Sequence, residues 1–344
     1  MEVTLKETQE QTPPCMTWTS AAQAIWNVVR YTDRGELTLT EVMGYTSHAF
    51  RININPANVD VAGPTSFPWQ RLFSEGLAQL GYRSACAESA PLTPPTDDEL
   101  EKALVLAQRS IDRGIPAIAW DLFIPEFGVL YGYDDEKREF QARDVQQDGT
   151  LPYTLLGRGR IGELFVLTIE EPLPLTLDRR AMLPGALNMI IRHAKEDDNG
   201  EHACSHRNGL AGYDAWIEAL GSGNVSPMGN AYNAAVVCDA RFHAAAFLGG
   251  LADVWTGDSP LHGTVRRLAG EAERHYRRVH RALAGLLPLF PFPQGGTPND
   301  PAVAAEAAGL LREAQSAEAQ GVALLEELRA ALHADAPAGG KQRR

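Results

Sequence analysis

The chain has 344 residues, with 31 lysine and arginine against 44 aspartate and glutamate side chains and a formal charge of −13. That length buries a full core and points to two domains. The acidic balance, with no basic stripe interleaved with aromatics, argues against binding a nucleic-acid backbone. Four cysteines, Cys15, Cys86, Cys204 and Cys238, are scattered without CxxC spacing, which gives neither a zinc ribbon nor a disulfide framework. The first ten residues lack an apolar signal core and no stretch reads as a membrane span, so a cytoplasmic, reducing location is expected.

In chain order, Gln11-Thr-Pro-Pro-Cys15 runs into an amphipathic stretch, Ser20 to Tyr31. Two prolines cannot lie inside a helix, so the spacing predicts a helix opening close to Cys15. A thiol there feels the positive helix end, which favours the thiolate, and free backbone N–H groups can hold an oxyanion. A second short helix is expected over 38–43, a half-buried strand over 49–54, a helix over 67–80 and a strand over 82–88. Residues 97–111 carry acids in the first turn and Gly114 just past the end, a well-marked helix. The period then changes, and 115–122, 127–133, 138–144 and 163–169 read as strands, with a hairpin turn at Asp134-Asp-Glu-Lys137. Helices followed by an antiparallel meander make an α+β domain, and no Gly-rich phosphate loop interrupts the order.

The proline-containing stretch 170–178 is the expected boundary. It divides a domain over 1–172 from an all-α domain over 173–335, with helices near 179–196, 209–220, 228–255, 262–286 and 302–333. Residues 336–344 read as a disordered tail. The long Ala/Leu-rich terminal helices offer a surface for a homodimer.

A thiolate nucleophile needs a base beside it and a group to orient that base. The segment Ile124-Pro-Glu126-Phe-Gly-Val-Leu-Tyr-Gly-Tyr-Asp134 stands where such a partner belongs, at the start of a later strand, and Asp144 closes the next strand. Together with Gly44-Tyr-Thr-Ser-His48-Ala-Phe-Arg51, the cysteine-led helix and the helical half (Gly209 to Trp216; Asn230, Asn233 and Arg241), this arrangement resembles the family of butirosin biosynthesis protein H. That resemblance implies a papain-like domain, related to the double-glycine leader peptidases, carrying an all-helical domain. It implies acyl transfer in natural-product assembly, from a thioester on a carrier protein or coenzyme A to an amine of a small substrate. The chain departs from the papain-like pattern in having Glu126 where histidine is usual. Glutamate takes over only if it accepts the thiol proton, and Asp144 would then orient it. His48, in a short polar turn, is the substitute base. Gln11 is a candidate oxyanion donor.

His202-Ala-Cys204-Ser-His206 gathers three soft ligands, but its spacing matches no familiar zinc module, so no metal and no cofactor are expected. His206 and Arg207 read instead as substrate contacts on an interdomain loop. Asn230, Asn233 and Arg241 share roughly one helix face and could line a pocket, or could bond between helices. Two further readings remain open: a retired papain-like module that binds a small ligand, and a Cys/Glu-dependent lyase or cyclase.

Overall fold

The computed structural model describes residues 2–5, 16–174, 178–196, 198 and 205–335. Its elements are β1 (Glu2–Thr4), α1 (Ser20–Val29), α2 (Leu39–Tyr45), β2 (Asn53–Ile54), α3 (Trp69–Gln79), β3 (Tyr82–Glu88), α4 (Asp97–Asp112), β4 (Ala117–Trp120), β5 (Phe127–Asp134), β6 (Glu139–Arg143), β7 (Asp148–Pro152) and β8 (Phe165–Pro172). There follow α5 (Arg179–Lys195), β9 (Arg207–Asn208), α6 (Leu210–Ser222), α7 (Pro227–Val254), α8 (Pro260–Ala284) and α9 (Pro301–Asp335). The chain is mixed α+β with antiparallel strand pairing, and it divides into two compact units. Residues 43–68 go with the helical unit, 177–344, so the first unit is 1–42 with 69–176 and not the continuous 1–172 that the boundary signal predicts.

In the sheet unit the strand order is β3-β8-β4-β5-β6-β7, and β1 pairs with the second half of β5 along the edge that β4 leaves open. Strand alternation sends Ala117, Ala119, Leu130 and Val166 to one face, against Leu100, Ala103, Ala107 and Ile111 of α4. Trp120, Phe127 and Phe165 point the other way and meet Trp69 and Phe73 of α3, with ring centroids 4.7 Å apart for Trp69–Trp120 and 4.9 Å for Phe73–Phe127. α4 starts on a capping box, in which Thr96 and Glu99 satisfy each other's backbone N–H groups.

Several expectations change. α1 begins at Ser20, with Thr19 as its cap, and not beside Cys15. Hydroxyl side chains take the backbone there: Thr19 N–H donates to Thr17 Oγ1, a local bond that competes with the helix. The strand expected over 49–54 is a 3-10 turn, His48–Phe50, followed by the two residues of β2, all buried, because β2 pairs with β9 inside the helical unit. α7 is long and apolar enough to cross a membrane, with mean hydropathy 1.3 over its best window, yet 72% of that window is buried within the protein. The tail at 336–344 lies outside the described residues.

The helical unit holds a charge pair in its core. Arg241 on α7 donates from Nε and Nη2 to the two carboxylate oxygens of Glu318 on α9, at 2.9 and 2.7 Å. Its Nη1 reaches the carbonyls of Ala49 and Arg51, and Tyr213 gives a 2.5 Å bond to the same carboxylate. Both charged side chains are fully buried, so each depends on the other for compensation. Glu318→Leu should cost about 3–5 kcal/mol in urea unfolding by stranding the guanidinium, and pairing it with Arg241→Met should recover part of that loss. A single-variant cost below about 1 kcal/mol would show that the pair does not hold the unit.

Candidate active site

Trp120 pairs with Phe127, so β4 and β5 are joined by the loop 121–126 that carries Glu126. Two buried aspartates fix this loop. Asp121 takes the left-handed conformation (φ +54°), and its N–H donates to the Glu126 carbonyl, closing the hairpin. Its carboxylate accepts from Ile161 N at 2.7 Å, and burial pushes its pKa above the ordinary aspartate value. Asp144 accepts four backbone N–H groups, from Phe123 and Ile124 on Oδ2 and from Gln146 and Gln147 on Oδ1, at 2.8–3.1 Å. Gly128 lets that carboxylate approach, since a Cβ there would lie 2.3 Å from the Arg143 carbonyl and 3.0 Å from Asp144 Cβ.

The half-buried Glu126 meets α1 through its first residue. Ser20 Oγ donates to Glu126 Oε2 at 2.5 Å and accepts from Phe127 N at 3.3 Å. A length of 2.5 Å belongs to a hydroxyl bonded to a carboxylate ion. α1 has no acid in its first turn and its cap makes no side-chain bond, so Glu126 brings a negative charge to a helix start that lacks one of its own. Just upstream, Met16 N–H donates to Oε1 of the buried Gln23 at 2.8 Å, which ties the residue after Cys15 to α1. Cys15 and Gln11 themselves lie outside the described residues. Glu126 and Asp144 thus belong to one loop system, in which Asp144 holds the backbone of the loop before Glu126 and not the Glu126 carboxylate.

The remaining candidates belong to the helical unit and are occupied there. His48 is 2% exposed, with Nδ1 2.9 Å from Thr46 Oγ1. Burial first, then the charge of Arg51, pushes its pKa down to about 3, which makes it a poor proton acceptor near neutrality. Asn230 accepts from Trp216 Nε1 at 2.7 Å, and Asn233 donates to the carbonyls of Asp60 and Gly229. With Arg241 bound to Glu318, each of these three α7 side chains bonds within the helical unit. Arg207 pairs with Glu218 on the surface, and His206 lies between Asp60 and Ser66. His193 stacks its bonds on Ile52 and faces Asp198, whose carboxylate accepts from Arg51 and Arg192. Among the described residues no group of three or more histidine, cysteine, aspartate or glutamate side chains is arranged to hold a metal. Ser20, Gln23 and Asp121 were not marked by any sequence pattern.

No family model matches the chain, and no curated protein matches it.

Asp144→Asn keeps the shape but sets an N–H against backbone N–H donors, and should cost about 2–3 kcal/mol in urea unfolding. A neutral result would remove the clamp from the account. His48 and His193 also set a pH dependence, since both are held at about 3 chiefly by burial, against 6.5 when unfolded. Above pH 6.5 neither binds a proton in either state. Between 6.5 and 3 the unfolded chain takes up protons that the folded chain refuses, so stability falls with pH by about 1.4 kcal/mol per unit for each. His48→Gln should therefore make the decline in unfolding free energy between pH 6 and pH 4 shallower by about that amount, and an unchanged slope would contradict the burial.

Proposed function

We propose that the protein is a cysteine-dependent acyltransferase with a papain-like sheet unit, acting on a small amino-acid-derived substrate. The observation that supports it most is Glu126, fixed by the Asp144 loop and bonded to Ser20 at the start of the helix that Cys15 precedes. On this reading Glu126 accepts the Cys15 thiol proton and the sulfur attacks a thioester carbonyl, supplied by a carrier protein or coenzyme A. The donor C–S bond breaks, and the departing thiolate takes the proton from Glu126. An amine then attacks the Cys15 acyl group, forming the C–N bond, and its proton passes through Glu126 back to sulfur. Asp144 positions the loop. The exposed apolar side chains of Met16 and Trp18, beside Cys15 in sequence, offer a surface for the acyl chain.

A second reading, a ligand-binding module that has lost the reaction, draws support from the same bond, because Glu126 already serves as the acid that α1 lacks. Intact-mass measurement after mixing with aminoacyl N-acetylcysteamine thioesters separates the two. An acyl adduct absent from Cys15→Ala and formed about 100-fold more slowly by Glu126→Gln is the expected outcome. No adduct, together with Cys15 alkylation by iodoacetamide no faster than a free thiol, would leave the binding module.

A further inference from the structure

In the helical unit, two side chains from one short loop and a third some 140 residues on meet in the order of a hydroxyl, an imidazole and a carboxylate. We infer that Ser66, His206 and Asp60 form a second nucleophile set, able to take an acyl or phosphonyl group from small activated esters. His206 Nε2 lies 3.3 Å from Asp60 Oδ1, and its Nδ1 lies 3.4 Å from Ser66 Oγ, with the imidazole almost entirely enclosed.

The chemistry of the carboxylate fixes the tautomer. Asp60 Oδ2 accepts from Asn55 Nδ2 at 2.6 Å and Oδ1 from Ala62 N at 3.0 Å, and the His206 bond, the largest cause, holds the acid below its ordinary range. An ionised carboxylate only accepts, so Nε2 carries the proton and Nδ1 is the open lone pair. That lone pair faces hydroxyls, which is the orientation a general base requires. The Ser66 distance is long for a finished O–H···N bond, as base–nucleophile contacts commonly are before substrate binds. Ser205 Oγ also lies 3.0 Å from Nδ1, but Ser205 is exposed and adjacent in the chain, whereas Ser66 is half-buried at the end of the 3-10 turn Gly63–Thr65. The backbone on either side is held: Asn233 donates to the Asp60 carbonyl, and His206 leads into β9, paired with β2.

In the step inferred, Ser66 Oγ bonds to the carbonyl carbon of the ester while its proton passes to His206 Nδ1. The alcohol leaves with that proton, and water, activated by the same nitrogen, releases the acid and restores Ser66. With a fluorophosphonate the Oγ–P bond forms, the P–F bond breaks and the adduct persists. This set is independent of Cys15.

The test is labelling of the full chain by a biotinylated fluorophosphonate near pH 7.5, with the site mapped by peptide mass. The expected result is a label on Ser66, lost in Ser66→Ala, slowed about 100-fold in His206→Gln, and kept in Cys15→Ala. The absence of any label above that of a surface serine would overturn the inference and leave His206–Asp60 as a loop clamp. So would a label mapping to Ser205, or a Ser66 label indifferent to His206→Gln. Ser66→Ala deletes one half-buried hydroxyl, and His206→Gln is checked by its urea midpoint, so loss of label in a folded variant reports the chemistry.

Discussion

The sheet unit's one distinctive feature, a glutamate presented at the start of α1, depends on the buried carboxylate of Asp144. A charge removed from water must be repaid by bonds to the charged form, and Asp144 has four, all from backbone N–H groups. Two come from the loop before Glu126 and two from the turn after β6, so one side chain sets both the loop's shape and its distance from the neighbouring strand. Gly128 is the steric condition for this, and Asp121 closes the loop from the other side. These constraints bring Glu126 to Ser20, whose hydroxyl then donates to its carboxylate.

The helical unit meets the same requirement with a different solution. Its buried charges are matched to one another, Arg241 to Glu318 and Asp198 to Arg51 and Arg192, and burial holds His48 and His193 neutral. α7 can therefore be apolar enough to resemble a membrane span and still carry asparagines and an arginine, because Asn230 accepts from Trp216 on α6, Asn233 donates to the Asp60 carbonyl and Arg241 bonds Glu318 on α9. A polar face on a buried helix has this use as readily as that of lining a cavity.

How much of this could be read from the sequence follows from what kind of signal each feature leaves. α4 was legible because acids, periodicity and the closing glycine all lie within one short stretch, Asp97 to Gly114, and agree. β4, β5 and β6 were legible from alternation and a hairpin turn. β1 and β9 were not, being strands of three and two residues whose existence depends on a distant partner, nor was β7, an edge strand of the β6 hairpin rich in polar and glycine residues. The start of α1 was misplaced because the two prolines forbid helix upstream without saying where it begins, and the Thr17 hydroxyl, accepting from the Thr19 backbone N–H, decided that locally. Glu126 and Asp144 were found by position on successive strands, yet the bond joining Glu126 to Ser20 spans 106 residues and leaves no local trace. The polar residues of α7 were visible, but periodicity reports a shared face and cannot report what that face meets.

The replacement of imidazole by carboxylate beside α1 carries a consequence for substrate class on the proposed reading. The positive end of a helix favours a carboxylate and disfavours an imidazolium, so a glutamate there is at ease where a protonated histidine would not be. Amide cleavage depends on protonating a departing amine, a task for which imidazolium is suited. A thioester releases a thiolate, a far better leaving group that needs little acid assistance, and its carbonyl is already activated. On the proposed reading, glutamate in this position therefore suits acyl transfer from a thioester better than peptide hydrolysis.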